Sequence, residues 1–434
     1  IGKTPTSVPL TSSDITDGII STAKIANDAA TLAKMAQGTD GNLISYDASG
    51  NPVAVATGTD GQVLTSTGAG SPPAFENAAA GGDINFKNII QNGDMSIAQR
   101  ATSVTGITGN GYHTIDRFNT VNTTLGTWTQ SQDTTVPTGQ GFAKSLKMDC
   151  TTADGSPASG DRLDIQQKFE GQNLQYLKKG TASAESLTLS FWVYATKTGT
   201  NIVELFDNDN SRQISQAYTI SSSNTWEKKT LTFAGDTSGA LGNDNGSSLQ
   251  VSWFLAVGSN YSSGTLNTSW NSNTNANRAV GQVNHADSTS NDFYITGVQL
   301  EAGTSASDFE FLPHDVNLRK CERYFSSSFE IGVTPALNVE KMNYRLTRPY
   351  SGSNHSGFGT TYPTTMRTSP SVTLYTTQPS AGSTGQVTVY DNSSWSAVGA
   401  AVDASSTQNH FSISSALGAN VVLVQFNYTA DAEL

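Results

Sequence analysis

The sequence predicts a mainly β protein, with an elongated N-terminal segment followed by two β domains. Charged residues make up only 14% of the 434 residues, whereas roughly 25% is usual in a globular protein. Hydrophobic residues still reach 36%, which is too much for a disordered chain. Glycine is abundant, with 40 residues, and apolar side chains alternate along many short segments, as they do in β-strands. These observations favour strands joined by tight turns over a helical fold.

Residues 1–83 predict an oligomeric stalk that begins with a short helix. Within residues 13–36, apolar side chains recur at helical spacing. A helix this short and this weakly apolar needs copies of itself to bury such a stripe. We therefore predict a coiled-coil-like helix over 13–36 whose oligomerisation residues are Ile15, Ile19, Ile25, Leu32 and Met35.

An internal repeat of about 20 residues follows the predicted helix, over residues 38–76. Its two copies are GTDGNLISYDASGNPVAV and GTDGQVLTSTGAGSPPAF. The aligned glycines are Gly38 with Gly58, Gly41 with Gly61, and Gly50 with Gly70. Each copy predicts a hairpin, with first strands at 43–46 and 63–67. Two isolated hairpins cannot form a core, so we expect partner chains to cover them; a flexible Gly/Ser linker is the alternative.

Residues 84–313 predict a two-sheet sandwich or jelly roll. In SLTLSFWVYAT the apolar side chains fall on one face of a strand, at Leu187, Leu189, Phe191 and Val193. The segment LQVSWFLAV alternates in the same way and places Trp253 in the predicted core. Strands of this length, joined by Asn-, Asp-, Gly- and Ser-rich loops, are typical of sandwiches.

Residues 314–434 predict a short helix and a smaller C-terminal β-sandwich. HDVNLRKCERYF has helical spacing, with Asp315 near its start. The alternating segments PSVTLYTT, GQVTVYD, HFSISS and NVVLVQFNYTADAEL predict the strands that follow. We expect Cys150 and Cys321 to be two structural thiols, with a disulfide between domains as the weaker alternative.

The charge and hydropathy of the chain exclude some classes of partner. A net charge of -12 argues against nucleic acid, and no run approaches the ~18 apolar residues of a membrane span. We therefore expect neither nucleic-acid binding nor membrane insertion. The first residues lack the pattern of a secretory signal, and because the chain begins with Ile1 we expect a fragment, or a longer chain whose start is not shown.

Four aromatic residues are candidates for carbohydrate binding by ring stacking. Trp192 and Tyr194 share a strand face with Ser and Thr, so they serve either as a sugar platform or as a contact between chains. Trp128 and Trp270 lie in Thr- and Asn-rich segments and are predicted to be at the surface.

The segment DNDN at 207–210 is a candidate calcium loop, because Asp207 and Asp209 supply hard oxygen ligands. A solvated turn is the alternative. His113 lies near Asp116 and Arg117, but this string is more typical of structural pairing than of a catalytic dyad. No Walker, Rossmann or nucleophile-elbow motif occurs, so we assign no catalytic residue and expect no enzyme activity.

The segment from Asn88 to Gly303 resembles the jelly-roll carbohydrate-binding modules of the cellulose/xylan-binding type. The resemblance depends on NIIQNGDMS from Asn88, on SFW at 190–192, on the Trp-led strand at 226–233 and on the closing FYITGVQLE. Thr296 and Gly297 stand where this family usually has acidic residues, so a metal or structural role of those acids does not carry over.

The whole chain resembles tail-fibre and minor structural proteins of tailed bacteriophages, notably those of marine bacteria. The segments that carry this resemblance are TDGIISTAKIANDAATLAKMA, the hairpin repeat, NGDMSIAQR, GYHTIDRF, SLKMDC, ELFDNDNSRQIS, GTSASDFEFLPHDV and YTADAEL. It implies an elongated, trimeric virion protein that recognises the host surface.

The sequence thus predicts a phage tail fibre that is assembled in the host cytoplasm, acts outside the cell and contributes to adsorption. The expected partners are two further copies of the chain, other virion proteins at the N-terminal end and host-surface polysaccharide. Two alternatives stay open. One is a purely structural connector or decoration fibre; the other is a polysaccharide depolymerase, which is disfavoured because no long parallel-coil repeat is present.

Overall fold

The computed structural model describes residues 39–77, 86–339, 344–347, 355–378, 382–403, 406–415 and 421–434. The chain forms two compact units, residues 1–79 and residues 80–434. The predicted helix at 13–36 lies outside the described residues, and so do its oligomerisation residues Ile15, Ile19, Ile25, Leu32 and Met35.

The first unit contains two β-hairpins, one from each copy of the repeat. Strand β1 (Leu43–Tyr46) pairs with β2 (Pro52–Val55), and β3 (Gln62–Thr65) pairs with β4 (Ala74–Asn77), both antiparallel. The predicted hairpin in each copy is therefore confirmed.

The aligned glycines of the repeat adopt the same backbone conformation in both hairpins. Gly41 and Gly61 have φ values of 78° and 86°, and Gly50 and Gly70 have φ values of 79° and 82°. Side chains rarely tolerate this left-handed region, whereas glycine enters it freely. The glycines that define the repeat in sequence are thus the residues that set its turns.

Each hairpin leaves large apolar side chains in contact with solvent. Ile44 is 60% exposed and Tyr46 63% exposed in the first, and Val63 and Leu64 are about half exposed in the second. A soluble chain usually buries such side chains against another surface.

The second unit begins with a sandwich of antiparallel strands. Its strands are β5 (Ser103–Ile107), β6 (Gly111–Tyr112), β7 (Asn119–Thr123), β8 (Thr127–Asp133), β9 (Ser145–Thr152), β10 (Arg162–Glu170), β11 (Leu187–Ala195), β12 (Gly199–Asp207), β13 (Arg212–Ile220), β14 (Glu227–Phe233), β15 (Ser247–Val257), β16 (Asn271–Ser272) and β17 (Asp292–Ala302). Helix α1 (Ser259–Ser262) and single 3-10 turns at Gly171–Asn173, Gln175–Leu177 and Asn275–Asn277 interrupt the loops.

Two sheets make up this sandwich, which confirms the predicted two-sheet architecture. The order of the first is β16-β13-β12-β15-β10-β7-β6, and the order of the second is β14-β11-β17-β9-β8-β5. The alternating side chains of β11 enter the core as predicted, because Leu189, Phe191 and Val193 are fully buried. Trp253 is also fully buried and packs edge-on against Phe191, with ring centroids 5.9 Å apart.

Trp128 belongs to the same core, so its prediction as a carbohydrate-binding surface residue is wrong. Its side chain has 0% exposure, and its indole N–H donates a hydrogen bond to the carbonyl of Leu125 at 2.8 Å. The Thr-rich sequence around Trp128 reflects the outward positions of β8, whereas the tryptophan itself points inward.

The C-terminal part of the second unit consists of a helix and one antiparallel sheet. The predicted helix is confirmed as α2 (His314–Glu322). The strands are β18 (Phe325–Ser327), β19 (Tyr344–Thr347), β20 (His355–Thr361), β21 (Ser371–Tyr375), β22 (Gln386–Tyr390), β23 (Trp395–Val402), β24 (His410–Ser415) and β25 (Leu423–Asp431). Although the sequence predicts a small sandwich, these strands form one hydrogen-bonded sheet in which β25 pairs with four others.

The last residues of the chain pack against the N-terminal sandwich. Glu433 accepts hydrogen bonds from Arg117 and Arg100, and the guanidinium of Arg117 is fully buried. Arg367 joins the same region by donating to the carbonyls of Asn245 and Ala432 at 3.0 and 2.6 Å. These contacts fix the C-terminal sheet to the sandwich.

Cys150 and Cys321 are both buried, free thiols, as predicted, and they do not form the alternative disulfide. Within the described residues, no helix combines the length and the hydropathy that crossing a membrane requires.

Candidate functional site

A row of aromatic rings crosses the outer face of the six-stranded sheet. Tyr194 of β11 lies directly opposite Tyr294 of β17, and their rings meet edge to face with centroids 5.0 Å apart. Trp226, immediately before β14, approaches Tyr194 at 5.6 Å and Tyr294 at 6.3 Å. We name Trp192, Tyr194, Trp226 and Tyr294 the aromatic face.

Trp192 extends the aromatic face along β11. Because side chains alternate along a strand, residues 192 and 194 share one side of the sheet. Trp192 lies opposite Lys228 of β14 and Thr296 of β17. Trp192, Tyr194 and Trp226 are half-buried, whereas Tyr294 is almost completely buried and packs beside Tyr194 and Trp226. The structure therefore brings Trp192 and Tyr194 together as neighbours.

Polar groups border this face and can hydrogen-bond to a ligand. The Tyr194 hydroxyl donates to the side-chain oxygen of Asn224 at 3.2 Å. Lys147, opposite Tyr294, lies 3.1 Å from a carboxylate oxygen of Asp292, and its ammonium is 5.5 Å from the Tyr294 ring centroid.

The charges beside the face influence one another. Burial and the nearby Asp149 carboxyl raise the pKa of Asp292, although Lys147 opposes this shift. Burial acts to lower the pKa of Lys147, but hydrogen bonding and attraction to Asp292 outweigh it, so the pKa of Lys147 is raised. The ammonium therefore stays charged at neutral pH.

A second group of rings packs against β17 at Gly297. Phe142, Phe309 and Phe311 pack together with centroid separations of 4.8 to 5.1 Å, and Phe311 is 51% exposed. Phe142 covers Gly297, where an added Cβ would lie 2.5 Å from the Phe142 ring. Thr296 holds the same loop by donating to the carbonyl of Lys144 at 2.7 Å. Thr296 and Gly297 thus hold the loop that contains Phe142 and Lys144 against the sheet.

Trp270 lies apart from the aromatic face. It precedes β16, which pairs with the other sheet, and its indole N–H donates to the carbonyl of Ala234 at 2.8 Å. The ammonium of Lys179 lies 5.0 Å from its ring centroid. The structure does not bring Trp270 together with Trp192 and Tyr194.

The two candidate calcium ligands have other partners. Asp207 is fully buried and binds the ammonium of Lys179, which also lies 3.0 Å from Asp236. Asp209 is exposed and accepts the backbone N–H of Gly242 at 2.8 Å. The carboxylate of Asp207 is thus already paired with an ammonium in this arrangement, which favours a structural role over a calcium loop. The described part of the chain contains no group of three or more His, Cys, Asp or Glu side chains placed to hold a metal ion.

The residues around His113 have structural partners, as the sequence favours. The Asp116 carboxylate accepts the backbone N–H of Gln99 at 2.9 Å, and burial raises its pKa to about 6. Arg117 points to Glu433, as described above. Burial lowers the pKa of His113.

Comparison with known proteins gives distant structural likenesses. No protein-family model matches the chain, and no curated protein matches it. The enzymatically active domain of tailspike protein 4 of bacteriophage CBA120 is 13% identical with a TM-score of 0.27, and the match covers 50% of this chain and 22% of that one. The family 11 carbohydrate-binding module of the cellulase Lic26A-Cel5E of Clostridium thermocellum is 10% identical with a TM-score of 0.23, covering 50% of this chain and 96% of the module.

A third similar structure is the module TmCBM61 in complex with β-1,4-galactotriose. It is 9% identical with a TM-score of 0.24, and the match covers 50% of this chain and 98% of the module. TM-scores this low do not establish a shared function.

Sequence reasoning did not select Tyr294 or Trp226 for the site. Tyr294 lies in the segment FYITGVQLE, and its relation to Tyr194 depends on the register between β11 and β17. A pattern along one strand cannot supply that register. The sequence does show that Tyr294 and Thr296 are two positions apart on β17, so their side chains lie on the same outer face of the strand.

Proposed function

We propose that this chain is a non-enzymatic virion fibre protein of a tailed bacteriophage, and that it binds glycan on the host surface through the aromatic face. The observation that carries the proposal is the row formed by Trp226, Tyr194 and Tyr294, with Trp192 beside it. The virion assignment is supported by the sequence resemblance to phage tail fibres.

The arrangement of the aromatic face suits a sugar chain. Aromatic side chains present large apolar surfaces that lose little conformational entropy on binding. The C–H groups of a sugar ring can stack on the half-buried rings of Trp192 and Tyr194. Asn224, Asp292 and Lys147 provide donors and acceptors for the sugar hydroxyls at the border of those rings.

The hairpins support an oligomeric stalk as part of the same proposal. Strand β1 has exposed apolar side chains at Leu43, Ile44 and Tyr46, and the repeat forms the same kind of hairpin twice. Further copies of the chain would cover these side chains. Three copies in one fibre would engage a surface together, so a weak affinity at each site would become strong attachment through effective concentration.

Binding to purified host-surface polysaccharides tests the proposed function. We expect the full chain to bind, and we expect Trp192→Ala and Tyr194→Ala each to weaken binding about tenfold or more, with a melting temperature close to that of the wild type. The matched control is Trp395→Ala, because Trp395 is a half-buried tryptophan that packs on Tyr390 in the C-terminal sheet, with centroids 4.9 Å apart.

The outcomes separate the alternatives. If Trp395→Ala weakens binding and the β11 variants do not, the aromatic face is the wrong site. If no host polysaccharide binds, a purely structural fibre is favoured. Release of reducing ends from the polysaccharide would contradict the non-enzymatic assignment. Light scattering that gives the mass of one chain would contradict the trimeric stalk.

A further inference from the structure

A cavity of about 540 Å³ lies where helix α2 passes the sandwich, away from the residues of the aromatic face. Its volume falls within the range of about 300–1,000 Å³ that is usual for small-ligand sites. The walls come from the segment that begins at Phe86, from the end of β10 with the turns after it, from α2 and from the loop at 364–365. Phe86, Arg319 and Thr365 are exposed, so the cavity opens to solvent.

Three cationic side chains and one carboxylate line the cavity. The cations are Arg319, Lys320 and Arg323, and the carboxylate is Glu170. The guanidinium of Arg323 donates to both oxygens of Glu170, at 2.7 and 2.6 Å. Burial alone would raise the pKa of Glu170, but hydrogen bonds from Arg323 and Tyr324 outweigh burial and lower it. Glu170 therefore neutralises Arg323 and leaves two cations.

Neither Arg319 nor Lys320 forms a salt bridge with a carboxylate of the described residues. The ammonium of Lys320 lies 5.5 Å from the Phe86 ring centroid, and burial lowers the pKa of Lys320. Glu310 attracts this ammonium from a distance, but its two oxygens accept the backbone N–H groups of Phe86 and Asn88, at 2.9 and 3.0 Å. Glu322 likewise acts on Arg319 only at longer range. The cavity thus presents two cations that no carboxylate of the described residues contacts directly.

The remaining walls combine apolar and neutral polar groups. The apolar side chains are Ile89, Phe169, Leu174 and Val316. Tyr176 also lines the cavity, and burial raises its pKa to about 12, so its hydroxyl stays protonated and able to donate. Asn173 and Thr364 add an amide and a hydroxyl. A simple inorganic anion would not contact these apolar and neutral polar groups.

We propose that this cavity binds a sugar that carries a carboxylate, such as a uronic acid unit. The carboxylate would lie between Arg319 and Lys320, and charge-assisted hydrogen bonds would hold it there. The sugar ring would pack on the apolar wall, and its hydroxyls would face Tyr176, Asn173 and Thr364. The proposal does not depend on glycan binding by the aromatic face.

Calorimetric titration of the full chain at low ionic strength tests this site with three probes: sodium glucuronate, glucose and sodium acetate. We expect glucuronate to bind, and we expect its affinity to fall as salt is added. Glucose lacks the charge and acetate lacks the ring, so each should bind about tenfold more weakly or not at all. Equal binding of glucose would refute a charged site, equal binding of acetate would refute a sugar site, and absence of glucuronate binding would refute the site altogether.

Variants then locate the binding. Arg319→Gln and Lys320→Gln should each weaken glucuronate binding about tenfold. Lys178→Gln is the matched control, because Lys178 is exposed and pairs with Glu185 at 2.8 Å, and it should bind glucuronate like the wild type. Tyr194→Ala should also retain glucuronate binding; its loss there would assign the acidic sugar to the aromatic face and overturn the proposal. The three-probe comparison on the wild type decides the case even if a variant fails to fold.

Discussion

The guanidinium carbon of Arg117 lies 3.4 Å from the centre of the Tyr324 ring, inside the second compact unit. Arg117 comes from the sandwich, whereas Tyr324 follows α2. The same guanidinium donates to the carbonyl of Lys168 at 2.7 Å and to the side chain of Gln91 at 2.8 Å. Its charge is neutralised by Glu433, near the C-terminal end of the described chain.

Replacing Glu433 with Gln should strongly destabilise the second unit. The substitution leaves the buried charge of Arg117 without a carboxylate partner, which typically costs about 3–5 kcal/mol. Urea unfolding followed by tryptophan fluorescence measures the loss. Glu330→Gln is the control, since Glu330 is exposed. A loss below about 1 kcal/mol for Glu433→Gln would mean that solvent compensates Arg117.

His285 should make the protein less stable in mild acid. Burial, with a smaller contribution from Lys197, lowers the pKa of His285 from 6.5 to about 3. Between these values the unfolded chain binds a proton that the folded chain does not, so the free energy of unfolding should fall by roughly 1.4 kcal/mol per pH unit as the pH drops below 6.5.

The variant His285→Gln isolates this contribution. It should lose the slope between pH 6.5 and pH 4, even if its stability at pH 7 is lower because the contact of His285 with Asn201 at 2.7 Å is changed. Denaturant unfolding at several pH values gives the slope. His314→Gln, at an exposed histidine, should retain the wild-type slope; an unchanged slope in His285→Gln would show that other groups cause the acid sensitivity.

Calcium should have no effect on the stability of the loop at 207–210. Lys179 already binds Asp207, and a calcium ion would have to displace that ammonium. We expect the same melting temperature in calcium and in a chelator, and we expect Asp209→Asn to change the free energy of unfolding by less than about 0.5 kcal/mol. A melting temperature that rises with calcium would show that calcium binds and would contradict this prediction.

Trp128→Ala should destabilise the sandwich without a direct effect on glycan binding. Removing a fully buried tryptophan typically costs about 3–5 kcal/mol, and Trp128 has no exposed surface for a ligand. Thermal unfolding measures the first effect. Polysaccharide binding, measured well below the midpoint of unfolding, measures the second. A stable Trp128→Ala variant that no longer binds would contradict the assignment of this residue to the core.

The sequence predicted those features that depend on local patterns. The hairpins follow from glycines at fixed positions, since Gly41, Gly50, Gly61 and Gly70 set the turns by their own conformations. The core face of β11 follows from alternation alone, and α2 follows from helical spacing.

Features that depend on which strands meet could not be predicted in this way. The polar neighbours of Trp128 indicated a surface position, but composition does not say which alternate side chain points inward. The contact of Tyr194 with Tyr294 joins residues on different strands, and the ion pair of Arg117 with Glu433 spans 316 positions in the chain. The cavity beside Lys320 likewise requires segments that are remote in sequence.

The ion pair between Arg117 and Glu433 also has a consequence during synthesis. While a ribosome is still translating the codons before Glu433, the nascent sandwich holds a cation whose partner does not yet exist. Until β25 and the residues after it emerge, the interior at Arg117 lacks the carboxylate that neutralises this guanidinium in the folded chain. We therefore expect the region around Arg117 to reach its final packing only after this glutamate, which belongs to a different part of the fold, has been synthesised.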